Sequence, residues 1–150
     1  MEFVDTIPRE YNLPRVIEIA SAGGTVSAGQ AVGAETSNSW TLDEDAVVVA
    51  VGIRLNVDNV EGKVVANAEG IFSHRPVGSL NPTDQKLWAE LGVSEKFPVM
   101  IASLKDTLGS YIKMRREETL HIYRRYYTYN GSSSSAYVVI RWFAILRVKG

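Results

Sequence analysis

The sequence predicts a mostly β domain in which two antiparallel sheets pack into a sandwich. Residues 46–58 carry a large aliphatic side chain at every odd position from 47 to 57, which is typical of a strand with one face on a core. Residues 136–148 are apolar at every even position, and an Asn-Gly turn at 130–131 precedes them. Long alternating strands joined by turns, with few helical periods, favour a sandwich over βαβ units.

Size and composition agree with one folded domain. The chain has 150 residues, of which 45% are hydrophobic and 22% charged, and this is enough apolar material for one sizeable core. No apolar run approaches the roughly 20 residues of a spanning helix, so we expect no membrane partner, and the first residues match no signal peptide. The sequence contains no cysteine, which excludes disulfides and thiolate metal sites.

Charge is unevenly divided along the chain. Residues 1–100 hold 7 basic and 14 acidic side chains, a net of −7, whereas residues 101–150 hold 9 and 3, a net of +6. One interpretation is that the two parts interleave in one sandwich and neutralise each other. The alternatives are a charge-complementary contact between copies of the chain and nucleic-acid binding.

The amino-terminal part differs in composition from the rest. Pro8 and Pro14 bracket a polar segment, residues 15–20 form a short β-prone run, and residues 21–39 are rich in Gly, Ala, Ser and Thr. We therefore expect an extended arm or long loop over residues 1–39, or a disordered linker, followed by a sandwich domain over residues 40–150.

The middle of the chain supplies a second strand and one helix. Residues 63–74 alternate, with Val64, Ala66, Ala68 and Phe72 on one side, and Gly70 within them indicates a bulge or a close backbone approach. Residues 81–91 predict a helix, because Asn81 can cap it, Pro82 suits its first position, Leu87 and Leu91 are four residues apart and Gly92 can end it.

The remaining third carries three further predicted strands. Residues 97–104 predict a buried strand, residues 105–118 are ambiguous, and residues 119–129 and 136–148 predict long strands. The predicted core of the sandwich consists of Val47, Val49, Val51, Ile53, Leu55, Ile140, Trp142 and Leu146.

The last strand has more apolar side chains than one face of a sandwich needs. Val139, Phe143 and Ile145 stand on its odd face, so they require a second surface. A homo-oligomer contact around the carboxy-terminal strands would supply it. The competing interpretation is that the helix at 82–91 covers this face with Leu87 and Trp88.

No pattern of catalytic or metal-binding residues is present, and we expect neither enzymatic activity nor a cofactor. The histidines, His74 and His121, fall on different predicted strands without a second ligand at metal spacing. The acidic run at 43–45 lies on a strand lead-in and cannot form a facing carboxylate pair, so a solvated turn is the simpler interpretation. The glycines of 21–33 lack the Lys-Ser/Thr ending of a phosphate-binding loop.

The segment 121–129 interleaves basic and aromatic residues. Such a strand can pack within a sheet, form a protein interface, or stack nucleic-acid bases or sugars. Of these we expect sheet packing or an interface, and nucleic-acid binding least. The candidate interface residues are Tyr123, Arg125, Tyr127, Tyr129, Val139, Phe143 and Ile145.

The order of features resembles that of small jelly-roll virion proteins. It comprises an arm, Trp40-Thr41 before a Val-rich strand, a Ser-His-Arg-Pro stop at 73–76 and two long terminal strands over 120–148. This resemblance to capsid, decoration and appendage proteins covers residues 40–150 and rests on architecture. It implies a jelly-roll-like sandwich, a symmetric oligomer that is often a trimer, and a place in a virion assembled in the host cytoplasm beside a major capsid protein. In such a particle the arm would reach a neighbouring copy. The alternative to a virion protein is a carbohydrate- or receptor-binding module.

Overall fold

The computed structural model describes residues 1–81 and 87–150. Within these ranges ten strands and one short helix follow one another in the order β1 Glu2–Val4, β2 Leu13–Val26, β3 Ala31–Thr41, β4 Ala46–Asp58, β5 Val64–Ser73, β6 Ala89–Ser94, β7 Val99–Ser103, α1 Leu104–Leu108, β8 Tyr111–Met114, β9 Thr119–Asn130 and β10 Ala136–Val148. None of the helices in these ranges is both long and apolar enough to traverse a lipid bilayer.

The strands form two antiparallel sheets that pack face to face, as the sequence predicts. One sheet has the order β1-β8-β4-β10-β2, with β7 also pairing with β4, and the other has the order β3-β9-β5-β6. From β2 to β5 the chain changes sheet at every connection, and β10 and β9 later insert between β4 and β2 and between β3 and β5. This double Greek-key winding is a jelly roll.

One extra residue in β4 decides which of its valines face the core. The pairing of β10 with β4 shifts between Ile145 and Leu146, which leaves Val49 as a β-bulge without a partner. Beyond the bulge the alternation reverses, so that Ala46 and Val48 join the core. The prediction of Val49 as a core residue was therefore wrong, since Val49 is half-buried, whereas Val47 is buried as predicted but lies outside the core cluster. The other six predicted core residues are buried in it.

The central side chain of the core is Trp142. Its indole Nε1–H donates to the backbone carbonyl of Glu69 over 3.0 Å, and the Arg124 guanidinium lies 4.9 Å from its ring centroid. A Cβ on Gly70 would lie 2.8 Å from the indole ring. The register of β5 with β9 is continuous past Gly70, so this glycine marks a close approach and not a bulge.

The helix predicted at 81–91 is not supported where the chain is described. Residues 82–86 lie outside the described residues, and from Ala89 the chain forms β6, in which Ala89, Leu91 and Val93 alternate inwards. Leu91 fits a two-residue period as well as a four-residue one, which explains the wrong assignment. The short helix is instead α1, which ends at Gly109 in a left-handed conformation.

The structure places the segment expected to be an arm within the sheets. β2 pairs along β10 from Leu13 to Val26, and β3 pairs along β9 over its whole length. Gly23 is part of this ladder, since a Cβ there would lie 2.1 Å from the Val138 carbonyl oxygen. The small residues of this segment thus belong to edge strands, which cover less core than central strands do.

Candidate interaction surfaces

The candidate residues of β9 lie on the outer face of the four-stranded sheet. Tyr123, Arg125, Tyr127 and Tyr129 are at alternate positions, while Leu120 and Ile122, of the other parity, enter the core. We call this set the β9 ladder. Arg125, Tyr127 and Tyr129 are exposed, and Tyr123 is half-buried.

Carboxylates on both neighbouring strands partner the β9 ladder. The Tyr123 hydroxyl donates to Glu35 of β3 over 2.5 Å, and this hydrogen bond is the main reason that the pKa of Tyr123 is raised. Arg125 donates to Glu69 of β5 over 2.7 Å. The ladder is therefore an aromatic surface whose single arginine is already paired.

The second arginine of the segment points the other way. Arg124 is on the inner face of β9, where its Nε–H donates to the Asn38 side-chain oxygen over 2.6 Å and its guanidinium covers the Trp142 ring. Burial lowers the pKa of Arg124 from its ordinary value. The sequence pattern alone did not assign this arginine to the core, although the parity of Leu120 and Ile122 could have shown it.

The candidate residues of β10 lie on the outer face of the other sheet. Val139, Phe143 and Ile145 are half-buried there, and Phe143 lies over Gly52 of β4, where a Cβ would be 2.6 Å from the ring. Val16 of β2 is directly opposite Ile145 of β10. Gly52 of β4 is paired with Phe143 on one side and with Ile101 of β7 on the other, so Phe143 and Ile101 are on the same face of the sheet. Val16, Val99 and Ile101 are 64%, 49% and 52% exposed. These six residues lie on one face of the sheet, where Arg54 and Arg141 stand between Val139 and Phe143. We call this set the outer patch.

The β9 ladder and the outer patch are on opposite sides of the sandwich. The structure thus separates the seven predicted interface residues into two surfaces. The segment 97–104 was predicted to be a buried strand, but Val99 and Ile101 of β7 are exposed and belong to the outer patch. The reason is that β7 is an edge strand: it pairs with β4, and no strand among the described residues pairs with its other side.

The competing cover for the outer patch is absent from the described residues. Trp88 is packed in the core cluster between the sheets and does not lie over the odd face of β10.

The segment before β2 covers another part of the sheet that contains β10. Tyr11 is 3% exposed there, with the Lys113 and Lys149 ammonium groups 5.7 Å and 5.5 Å from its ring centroid. Because Tyr11 stands in a polar segment, no pattern in the sequence predicts this cover.

The acidic run at 43–45 is engaged by basic groups. Arg15 donates to Asp43 over 2.6 Å and to Glu44 over 2.7 Å, and the hydrogen bond from Arg15 is the largest cause of the lowered pKa of Asp43. Asp45 accepts from the Arg116 backbone N–H. No group of three or more potential metal ligands occurs in residues 1–81 and 87–150.

A cleft opens at the end of the sandwich where the β4–β5 and β6–β7 turns meet. Its volume is about 370 Å³, and its lining includes the polar residues Asn56, Asn59 and Glu95 with Leu55 and Pro98. Nearby, the buried Asn130 side chain joins two loops, since it donates to the carbonyls of Val26 and Ser134. The Asn-Gly pattern predicted a turn at this position but not this hydrogen-bond network.

No protein-family model matches the sequence, and no curated protein matches it. Solved structures with a similar arrangement of strands include a chain of the full particle of Israeli acute paralysis virus, with a TM-score of 0.39 and 11% identity, over 92% of this chain and 75% of that one. The decameric BFDV capsid protein has a TM-score of 0.40 and 8% identity, over 91% and 100%. The mitogen of Yersinia pseudotuberculosis has a TM-score of 0.31 and 11% identity, over 91% and 87%. Two of these three structures are chains of viral origin, and the third is a bacterial mitogen.

Proposed function

We propose that this chain is a non-enzymatic structural protein of a virus or phage particle. In finer terms, it acts as a decoration, cementing or minor capsid protein that associates with its own copies and with a major capsid protein in the virion. The observation that supports this proposal most is the outer patch, a set of partly exposed apolar side chains on the outer face of an otherwise well-packed sandwich. The jelly roll adds support by analogy only, because this fold serves capsid and lectin domains alike.

The outer patch has the properties of a protein contact. Val16, Val99 and Ile101 are each about half exposed or more. Burying the remainder of one such side chain contributes about 1 kcal/mol, so three of them together with the half-buried Phe143 can support a stable contact. Arg54 and Arg141 are opposite each other between Val139 and Phe143, and Glu18 is 3.8 Å from Arg141. These charges within the patch favour a partner surface with an additional carboxylate.

The charge distribution does not favour nucleic acid. Basic residues of the last third pair with acidic residues of the earlier part, as in Arg125 with Glu69 and Arg141 with Glu18. This agrees with the interpretation that the two oppositely charged parts interleave in one sandwich. A surface for nucleic acid needs cations that are free to meet phosphates.

The test is the mass of the protein in solution, measured by light scattering over a range of concentration. We expect a homo-oligomer, with three copies as the stoichiometry expected from the sequence, and electron microscopy should show discrete symmetric particles or shells. The double variant Val16→Ser with Ile101→Ser should shift the mass towards the monomer. Val60→Ser is the matched control, because Val60 is exposed on a turn outside the patch. A wild-type monomer whose mass is unchanged at low salt would refute self-assembly through this patch.

The cleft beside Asn56 favours one second candidate, a carbohydrate-binding module. Amide and carboxylate groups are the side chains that hydrogen-bond sugar hydroxyls, and the exposed Asn56 and Glu95 both line the cleft. A glycan array tests this directly. Binding that is lost in Asn56→Ala with Glu95→Ala, and kept in the Val16→Ser with Ile101→Ser variant, would favour the module over the virion protein.

A further inference from the structure

β3 forms an open sheet edge. It pairs with β9 along all eleven residues from Ala31 to Thr41, and no described strand pairs with its other side. The other edge of the same sheet, β6, has only six residues. One full row of backbone N–H and C=O groups on β3 is therefore available to another chain.

β3 also lacks the features that protect such edges. Protected edges carry proline, bulges or several charges. The neighbouring edge strand β2 has Pro14, a register shift beside Trp142 and two glycines of positive φ at 23 and 24. β3 has no proline, its register is unbroken and its only charged residue is Glu35.

We propose that the β3 strand of a second copy adds antiparallel to this edge, and that it joins two four-stranded sheets into one of eight strands. Pairing of all eleven residues requires a two-fold axis at Thr36, because residues 31–41 are symmetric about that position. In this register Thr36 is opposite Thr36 of the other copy, which is a favourable cross-strand pair. Glu35 is opposite Ser37, so the two carboxylates do not face each other.

The same register matches the inner face of the strand. Val32 and Trp40, which pack partly against the core, come opposite each other. Ala34 comes opposite Asn38. A symmetric contact needs a surface that complements itself, and β3 meets this requirement in charge, size and hydrogen-bonding groups.

This contact goes beyond the proposed virion role and does not rest on it. It uses a sheet edge, whereas the outer patch is on the face of the other sheet, so one chain can make both contacts. Two different contacts on one subunit are what allow copies to extend into a shell or lattice instead of stopping at a dimer.

Single cysteines test the register, since the sequence contains no cysteine. Directly opposite residues of an antiparallel pair have Cα atoms about 4.5–5.5 Å apart, which suits a disulfide. We expect Thr36→Cys to form a covalent dimer under mild oxidation, and a mixture of Ala34→Cys with Asn38→Cys to form a mixed dimer. Asn67→Cys is the control, because Asn67 is exposed on β5, which is paired on both sides. Cross-linking of the β3 variants no faster than the control would overturn the proposal.

A charge at the axis provides a second measurement. Thr36→Glu can form an ion pair with Arg124, its cross-strand neighbour on β9, so the fold is kept, but it places two carboxylates against each other in the dimer. We expect dimer formation to weaken about tenfold from repulsion at this distance. An unchanged dimer would contradict the register. The Val16→Ser with Ile101→Ser variant should still cross-link through Thr36→Cys, so the edge contact and the outer-patch contact can fail independently.

Discussion

Replacing Trp142 tests the packing of the whole sandwich. The side chain is fully buried between the sheets. A change of a buried Trp to Ala costs about 3–5 kcal/mol from lost burial and the cavity that remains. Two further losses come from the structure: the Glu69 carbonyl loses its indole donor, about 0.5–1.5 kcal/mol, and Arg124 loses the ring beneath it, about 0.5–2 kcal/mol.

Trp142→Ala should therefore reach or exceed about 5 kcal/mol, which is a large share of the stability of most domains. Trp142→Phe keeps an aromatic ring in the core but loses the indole donor, so it should cost about 2 kcal/mol. Urea denaturation measures both, read as a change in midpoint at constant slope. A loss below about 1 kcal/mol for Trp142→Ala would show that this residue is not central to the core.

A double-mutant cycle isolates the contact between Trp142 and Arg124. The variants Arg124→Met and Trp142→Phe should be non-additive by about 0.5–1 kcal/mol, because the guanidinium lies over the indole face. Arg125→Met is the matched control, since Arg125 is on the outer face and should be additive with Trp142→Phe. Equal coupling for the two arginines would refute the inward orientation of Arg124.

Three further predictions concern other parts of the fold. Gly70→Ala should cost about 1–3 kcal/mol in urea denaturation, because its Cβ meets the Trp142 ring, whereas Gly92→Ala, with ordinary contacts, should be nearly neutral. Burial lowers the pKa of His121 in the folded state, so the wild-type protein should lose stability as the pH falls below 6.5, the ordinary pKa of histidine. His121→Gln should lose less stability over the same pH range, and equal losses in the two proteins would contradict this. Tyr11→Ala should lower the stability by about 3 kcal/mol, and a wild-type melting temperature would show that the segment before β2 does not cover the sheet.

The long central strands could be predicted from the sequence because their two faces differ in chemistry. Every even residue of β10 from Val138 to Val148 is buried, as the alternation predicts. The bulge at Val49 could not be predicted, since a run of three valines fits either parity equally well. A bulge is specified by its partner strands, here by the change from β7 to β8 along the same side of β4.

Edge strands were the least predictable part of the fold. The segment that forms β2 and β3 has few large apolar residues, and this composition suits an edge strand as well as a loop. What distinguishes them is long-range pairing, for instance of Gly23 with Val139 in β10, which a local pattern does not contain. The alternation of β9 and β10 identified seven candidate interface residues, but Val16, Val99 and Ile101 beside them, and the position of the two sets on opposite faces, required the strand order.

The orientation of two adjacent arginines bears on what the protein binds. Successive side chains of a strand point to opposite faces, so Arg124 and Arg125 cannot both belong to one surface. The fold uses the first to cover Trp142 and pairs the second with Glu69. The basic and aromatic run of β9 therefore offers tyrosines without a free cation, which is the chemistry of a protein contact more than of a phosphate-binding surface. The same alternation places the surplus apolar residues of β10 on the opposite outer face, so the seven candidate interface residues are divided between two separate surfaces.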